Sequence, residues 1–142
     1  MMISSKGRYA LRVMIDLAEH NTGELIPMKD VAERQNISLK YLERILPDLK
    51  KNKLVDAIHG KGGGYRLSRA PEEYTVGEIL RIIEGDLSPV ACLAEDAKPC
   101  DFSSQCRTLS MWKKFYELTN EYFDSITIAD LMKNDGEINY II

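Results

Sequence analysis

The chain has 142 residues, 44% of them hydrophobic and 29% charged, which predicts one globular domain with an appended element and excludes a disordered chain, a collagen-like fibre and a disulfide scaffold. The net charge of −3 hides an asymmetry: residues 1–70 carry 13 Lys+Arg and 8 Asp+Glu, and residues 71–142 carry 6 and 14, so the first half is predicted to meet a polyanion. No run of about eighteen apolar residues occurs and the N-terminus lacks an apolar signal segment, so we expect a cytoplasmic protein without a membrane partner, whose cysteines are reduced thiols or metal ligands.

Helical periodicity dominates the first fifty residues. Apolar residues recur at helical spacing in residues 6–20, and a short second helix is predicted at residues 28–35, after an extended piece at residues 25–27. Ser38 is the predicted N-cap of a third helix, which Pro47 is expected to kink or shorten. The buried stripe of this third helix is predicted to consist of Leu42, Ile45, Leu46 and Leu49.

A hairpin and a fourth helix follow. Two extended segments, residues 54–59 and 65–69, flank a glycine-rich stretch, which predicts a β-hairpin because glycine adopts positive φ without a steric penalty. Thr75 and Glu78 form a predicted capping box at the start of the fourth helix, in which Glu78 reaches back to the N-cap. Gly85 is the predicted C-terminal stop of that helix.

The C-terminal half contains a loop and a long helix. Residues 87–105 have no sustained periodicity, residues 104–125 are predicted to be helical, and residues 127–142 are predicted to form a short helix and an extended tail. The long helix carries an aromatic stripe too wide for a small chain to bury alone, so we expect a homodimer interface there. The expected interface residues are Trp112, Phe115, Tyr116, Thr119 and Phe123.

The order helix, short helix, turn, helix and hairpin is that of a winged helix-turn-helix. The predicted fold class is mainly α with a small β-hairpin. A winged helix-turn-helix DNA-binding domain is expected in residues 1–85, a cysteine-containing cluster-binding loop in residues 86–106, and a dimerisation helix with a C-terminal tail in residues 104–142. The alternative is a helical domain whose third helix is merely solvated on one face.

The third helix and the hairpin are the candidate contacts to double-stranded DNA. A helix with a polar outer face fits the major groove, where Arg44 or Lys40 can read guanine and Glu43 can accept a hydrogen bond from cytosine. The glycines allow the hairpin to approach the phosphates closely, and Lys61 adds a positive charge. The candidate DNA-binding residues are Lys6, Arg8, Ser38, Leu39, Lys40, Tyr41, Glu43, Arg44, His59, Gly60, Lys61, Gly62 and Gly63.

The three cysteines, Cys92, Cys100 and Cys106, fall within fifteen residues. Their C-x7-C-x5-C spacing lacks the close pairs that are typical of structural zinc sites. A loop of soft thiolates suits an iron–sulfur cluster, and these three are the candidate metal ligands. Buried inert thiols are the alternative that the spacing leaves open.

Three stretches resemble one bacterial family of winged-helix repressors, which contains the iron–sulfur cluster regulator IscR, the nitric-oxide sensor NsrR and the cysteine-metabolism regulator CymR. They are SKGRYAL at residues 5–11, ISLKYLE at residues 37–43 and HGKGGGY at residues 59–65, and the resemblance covers nearly the whole chain. It implies a homodimer on an inverted-repeat operator, with the third helix in the major groove and the wing in the minor groove. Wings of this family usually have Arg where this chain has His59, which implies a weaker or pH-sensitive wing contact.

The resemblance also implies a cluster, [2Fe-2S] or [4Fe-4S], because cluster-binding members carry three cysteines in this loop. The fourth ligand departs from the family pattern. Leu109 stands where IscR-like members have a histidine, and Arg8 and Arg12 stand where other members supply a ligand from the partner's first helix. The remaining candidates for the fourth ligand are solvent, a small thiol, or a carboxylate such as Asp96 or Asp101.

Two functions are therefore expected from the sequence. The first is a repressor whose operator binding is modulated by an iron–sulfur cluster that senses iron or cluster supply, redox state or nitric oxide. The alternative is a cluster-free regulator of cysteine and sulfur metabolism that a partner enzyme controls. An enzyme is not expected, because the chain has no C-x-x-C motif and no histidine near its cysteines that would activate a thiolate.

Overall fold

The computed structural model describes residues 2–132, so most of the predicted C-terminal tail lies outside the described residues. Single 3-10 turns lie at Pro71–Glu73 and Ala91–Leu93. No helix within residues 2–132 combines the length and the apolar character that a membrane span requires. The helices and strands are, in chain order, α1 (Ser5–Glu19), α2 (Met28–Gln35), α3 (Leu39–Lys51), β1 (Val55–Ile58), β2 (Gly64–Leu67), α4 (Val76–Glu84), α5 (Leu109–Asp124) and α6 (Ile128–Leu131).

The core forms where α1 packs against α2, α4 and α6 and where α3 lies under the hairpin. The buried stripe of α3 matches the predicted one, because residues spaced three and four apart share one face of a helix. Ser38 caps α3 as predicted. The largest fully buried side chains include Tyr74, Met14, Leu17, Leu42, Ile45, Leu49, Leu54 and Ile79.

Pro47 lies inside α3 and does not end it, so the predicted shortening is wrong. The proline ring is exposed, whereas Leu46 and Leu49 on either side are buried in the core. Burial of these flanking residues stabilises the helix beyond the hydrogen bond that proline removes. The helix therefore continues to Lys51 and delivers two lysines to its C-terminal end, where the helix dipole favours positive charge.

The predicted hairpin is confirmed. β1 and β2 pair antiparallel, with Val55 opposite Leu67 and Ile58 opposite Gly64. Ile26 forms an isolated antiparallel bridge with Tyr65 on the outer side of β2, through two backbone hydrogen bonds of 2.8 and 2.9 Å. The extended piece before α2 thereby fixes the hairpin to the helical part of the domain.

Only half of the predicted capping box at α4 is formed. The Thr75 hydroxyl accepts a hydrogen bond from the Glu78 N–H at 3.0 Å, as predicted. The Glu78 carboxylate does not reach back, because it binds the Arg69 guanidinium at 3.0 Å. The Arg69 guanidinium brings a positive charge as well as a hydrogen bond to the carboxylate, whereas the N-cap backbone N–H offers a hydrogen bond alone. Gly85 ends the helix at a positive φ of 83°, as predicted.

The long helix α5 begins at Leu109, not at residue 104. Residues 101–105 form turns, and Leu109 is the first of the helix-spaced residues that are half-buried on one side of α5. Cys106 therefore lies in the loop before α5 rather than on its first turn. At the other end, Thr127 and Asp130 form a reciprocal capping box for α6, which confirms the predicted short helix.

Candidate nucleic-acid interface and cysteine loop

The outer face of α3 presents a mixed set of side chains to solvent. Leu39 is 46% exposed at the first helical position, and Lys40, Glu43 and Arg44 are exposed on the same side. The Ser38 hydroxyl is already used, because it accepts the hydrogen bond that caps the helix at 3.1 Å. The free polar groups are thus two cations and one carboxylate, beside an apolar side chain that can contact a thymine methyl.

Tyr41 is half-buried and belongs to a chain of ring contacts that joins α3 to α1. The rings of Tyr41 and Tyr9 meet edge-on with their centroids 5.2 Å apart. Arg44 lies 5.7 Å from the Tyr41 centroid, and Arg12 lies 5.1 Å from the Tyr9 centroid. Arg12 also donates to the Gln35 side-chain oxygen at 3.2 Å. The geometry gives Tyr41 a supporting position, in which it orients Arg44 through a cation–π contact.

Glycine is required at several positions of the wing, the turn between β1 and β2, for different structural reasons. Gly60 and Gly62 adopt φ values of +99° and +78°, which L side chains rarely adopt. A Cβ atom at Gly63 would lie 2.1 Å from the carbonyl oxygen of Ile58, so no larger residue fits there. Lys61 lies exposed between these glycines. The wing is therefore a close backbone turn with one cation at its tip.

His59 does not extend freely from the wing. Its Nε2 lies 3.4 Å from the Nζ of Lys50, so a neutral imidazole can accept a hydrogen bond from that ammonium. Lys50 and Lys53 line a groove between α3 and β1, which puts two cations beside the wing that sequence reasoning did not assign. Burial, and then the charge of Glu43, raise the pKa of Tyr65 on β2.

The two candidate DNA-binding residues of α1 differ in whether their charge is available to bind a phosphate. The Lys6 ammonium pairs with the Asp48 carboxylate at 2.6 Å and thereby ties α1 to α3. Its charge is largely neutralised, which leaves it poorly placed as a phosphate ligand. Arg8 is exposed, and its guanidinium donates a hydrogen bond to the Ser5 hydroxyl at 3.0 Å.

The structure brings two of the three cysteines together. Cys92, half-buried on a 3-10 turn, and Cys100, exposed, line one cavity of about 340 Å³. We call this cavity the thiol cavity. Its volume exceeds that of a few water molecules, so it has room for a small ligand beside the two cysteines. The rest of the lining is formed by Leu93, Ala97, Pro99, Ser103, Leu109 and Lys113.

Cys106 lies outside the thiol cavity and is fully exposed. Its sulfur atom is 3.6 Å from the Thr108 hydroxyl, and hydrogen bonds from the side chain and then the backbone of Thr108 lower the pKa of the thiol. Within residues 2–132 no three His, Cys, Asp or Glu side chains lie close enough together to hold a metal ion. The donor set has the softness that iron–sulfur ligation requires, but this conformation assembles only two of the three thiols.

The structure also places the candidate fourth ligands. Leu109 lines the thiol cavity but offers no donor atom. Asp96 and Asp101 are exposed on the loop and do not line the cavity. Ser103 contributes the one oxygen-bearing side chain of the lining, and sequence reasoning did not identify it.

The aromatic stripe of α5 divides into two faces. Tyr116 and Phe123 pack with Ile126 on the cluster formed by α4, inside the same chain. A separate row is exposed to solvent, and sequence reasoning named only part of it. Its members alternate between spacings of four and three residues, which is the spacing of a coiled-coil seam. This pattern in the sequence could have identified the row. The exposed row consists of Met111, Phe115, Leu118 and Tyr122.

Contacts at the C-terminal end of α4 join the cysteine loop to the DNA-binding part. Glu84 at the end of α4 accepts hydrogen bonds from the backbone N–H of Ser4, at 3.0 Å, and from its hydroxyl. Asp86 accepts a hydrogen bond of 2.7 Å from a backbone N–H farther along the loop. Arg81 binds Asp124 of α5 at 2.6 Å. The beginning of the loop is thus connected to the N-terminus of α1 and to the end of α5.

Comparison with known proteins identifies a family model that matches most of the chain. The model, described as Rrf2, iron-dependent transcriptional regulator, matches residues 3–134. The HTH-type transcriptional regulators IscR of Erwinia tasmaniensis and of Serratia proteamaculans are each 35% identical to the chain over 134 residues, which is 94% of this chain and 80% of theirs.

Solved structures of two differently named regulators resemble this one equally. The IscR of T. potens has 36% identity and a TM-score of 0.75, and the match covers 99% of this chain and 93% of that one. CymR, described as the global cysteine regulator of B. subtilis, has 36% identity and a TM-score of 0.74, with 92% and 95% covered. Overall similarity therefore does not show whether the chain is more like IscR or more like CymR.

Proposed function

The chain belongs to the Rrf2 family of transcriptional regulators, and from that premise we propose that it is a homodimeric repressor whose operator binding changes with an iron–sulfur cluster. It is a DNA-binding regulator and not an enzyme. We propose further that it acts in the cytoplasm, where thiols stay reduced and available as ligands. Three features support the finer proposal: the thiols, the exposed row of α5 and the contacts that join the loop to α1.

The thiols are the observation on which the cluster proposal rests. The three cysteines of the chain all lie in the loop between α4 and α5, and Cys92 and Cys100 line one cavity there. We propose that Cys106 completes the ligand set when the loop closes, with Ser103 or an exogenous group as the fourth donor. When bound, an iron–sulfur cluster supplies a group that iron supply, oxidants or nitric oxide can alter. Whether it is [2Fe-2S] or [4Fe-4S] depends on that fourth donor.

The chain's own residues provide the connection to DNA. Asp86 holds the start of the loop, and Glu84 holds Ser4, directly before the helix that carries Arg8. A loop that changes its conformation shifts the end of α4, and with it the N-terminus of α1. The cluster can change DNA affinity only by as much as its own binding free energy differs between the two conformations of the protein.

We propose that DNA is read mainly by α3. Arg44, oriented by Tyr41, is placed to bind guanine, and Glu43 to accept a hydrogen bond from cytosine. Lys61 at the wing tip and Arg8 on α1 would bind phosphates, which contributes affinity without sequence preference. Leu39 would contact a thymine methyl group.

We propose that α5 pairs two chains through its exposed row. An uncovered row of four large apolar side chains is unfavourable in water, and the spacing of the row fits the seam between two helices. Trp112 and Thr119 lie between this row and the inward face. Two-fold pairing requires an inverted-repeat operator whose half-sites are about one or two helical turns apart.

A second candidate function is a cluster-free regulator of cysteine and sulfur metabolism. The similarity to a global cysteine regulator matches the similarity to IscR, and only two thiols meet in the thiol cavity. In this case an enzyme of sulfur metabolism would bind the regulator and control it, and the thiols would carry no iron.

Iron and acid-labile sulfide per chain, measured after purification without oxygen, separate the two candidates. The cluster proposal predicts a coloured protein with about two or four iron atoms per chain. It also predicts a colourless protein after Cys92→Ala, Cys100→Ala and Cys106→Ala are combined. A wild-type protein that holds no iron, and that cannot be reconstituted with iron and sulfide, would favour the cysteine-metabolism alternative.

A further inference from the structure

The thiol cavity contains one charged side chain. Among the described residues that line it, Lys113 alone carries a charge, and it is positive. Lys113 lies one turn after Leu109 on α5, and residues four apart share a helix face, so both side chains border the cavity. The carboxylates of the loop do not line the cavity. The Lys98 side chain of the loop does not line the cavity either, so Lys113 is the charged side chain that borders the two cysteines.

The neighbouring lysine has a different environment. The Nζ of Lys114 lies 4.0 Å from the Glu117 carboxylate, and this side chain does not line the cavity. Within residues 2–132 Lys113 makes no ion pair. Two adjacent lysines on one helix therefore differ in this respect: one is paired on the surface, and the other keeps its charge beside two thiols.

We propose that Lys113 makes the thiol cavity selective for sulfur-bearing anions. A small organic thiolate is such an anion, and so is an iron–sulfur cluster delivered as a complex with external thiolates, because those thiolates outweigh the positive charge of the iron–sulfide core. An ammonium that borders the cavity favours an anionic ligand over a neutral one, and the preference weakens as salt screens the charge. The identity of the natural occupant rests on the function proposed above, whereas the charge preference does not.

The preference can be measured on the iron-free protein with two disulfide reagents. In the Cys106→Ser chain, which keeps the two cavity thiols, a cysteine thiolate attacks one sulfur of an aryl disulfide. A mixed disulfide forms and one aryl thiolate leaves, which is followed by its absorbance. The reagents are a bis-carboxylate aryl disulfide and an uncharged dipyridyl disulfide. The ratio of their rate constants removes any change in the reactivity of the thiols themselves.

We expect Lys113→Met to lower the ratio of anionic to neutral rate constants about three- to tenfold at low salt, and by less at high salt. Lys113→Arg should preserve the ratio, and Lys114→Met is the matched control that should leave it unchanged. An unchanged ratio in Lys113→Met, or an equal fall in Lys114→Met, would overturn the inference.

Iron content separates the two sources of the anion. If Lys113→Met protein purified without oxygen retains less iron than wild type, the cluster is an occupant that Lys113 favours. In the other case, wild type holds no iron and the ratio of rate constants still depends on Lys113. The inference about Lys113 then stands with small thiolates as the occupants, and the cluster proposal fails.

Discussion

Arg34 of α2 binds the fully buried carboxylate of Asp16 of α1 through two parallel hydrogen bonds, of 2.7 Å to Oδ1 and 3.0 Å to Oδ2. Gln35 adds a third hydrogen bond of 2.9 Å to Oδ2. Burial alone would raise the pKa of Asp16. The hydrogen bonds from Arg34 and Gln35 and the charges of Arg34 and His20 outweigh it, so the pKa lies below its ordinary value. This ion pair thereby ties the end of α2 to α1.

Asp16→Asn should destabilise the protein by about 2–3 kcal/mol, because it leaves a partly buried guanidinium without its counter-charge. A group whose pKa is lowered in the folded state stabilises that state above the ordinary pKa of 3.8, and the stabilisation is lost as the pH falls through the lower folded value. Urea unfolding at several pH values measures both effects. The difference between wild type and variant should shrink below about pH 4. A constant difference from pH 7 to pH 3 would contradict this assignment.

Glu43→Ala and Arg44→Ala should each relax base preference at one operator position by about 1–3 kcal/mol. The measurement is binding to the operator and to a panel of single-base variants at one salt concentration. Tyr41→Leu should resemble Arg44→Ala in a weaker form, because it removes the ring that orients the guanidinium. If Glu43→Ala changes affinity for every sequence equally, it does not read a base.

Lys61→Ala should weaken binding to all sequences alike and reduce the slope of log affinity against log salt by about one. The lysine lies exposed at the wing tip, where phosphate is the accessible partner. Lys6→Ala is the informative comparison, since Lys6 is paired with Asp48 and should alter the slope much less. Equal slopes for both variants would show that the ion pair does not restrict Lys6.

Leu118→Glu should shift the protein from dimer to monomer, because each dimer would carry two charges in the proposed seam of α5. We expect the dissociation constant to rise at least about tenfold, which corresponds to about 1.4 kcal/mol. Glu117→Gln is the control, on the opposite side of the same helix. Sedimentation at micromolar concentration distinguishes the outcomes, and a wild-type monomer or an unaffected Leu118→Glu dimer would exclude this seam.

Features that depend on residues close together in the sequence were predictable from it. The stripe of α3, the Ser38 cap and the glycine hairpin each arise from a local pattern of a few residues, and the structure has all three. The reciprocal half of the α4 capping box was not predictable in this way. Arg69 takes the Glu78 carboxylate through an ion pair that no local pattern announces.

The faces of α5 illustrate the same limit. Tyr116 and Phe123 face α4 while Met111 and Leu118 face solvent, but in the sequence the two sets merge into one broad apolar stripe. The clustering of the cysteines was visible in their spacing. The pairing of Cys92 with Cys100 around one cavity, and the presence of Lys113 in its wall, depend on how the loop folds against α5.

Operator affinity is the direct measure of whether the cluster governs DNA binding. An operator selected from random DNA is titrated with iron-replete protein without oxygen, and with Cys92→Ala, Cys100→Ala and Cys106→Ala, at one salt concentration. If the cluster governs DNA binding, all three variants lose iron and reach the same affinity. That affinity should differ from the affinity of the iron-replete protein by about 1–3 kcal/mol, or roughly five- to 150-fold. Stoichiometric iron in the wild type together with unchanged affinity in all three variants would contradict this role of the cluster.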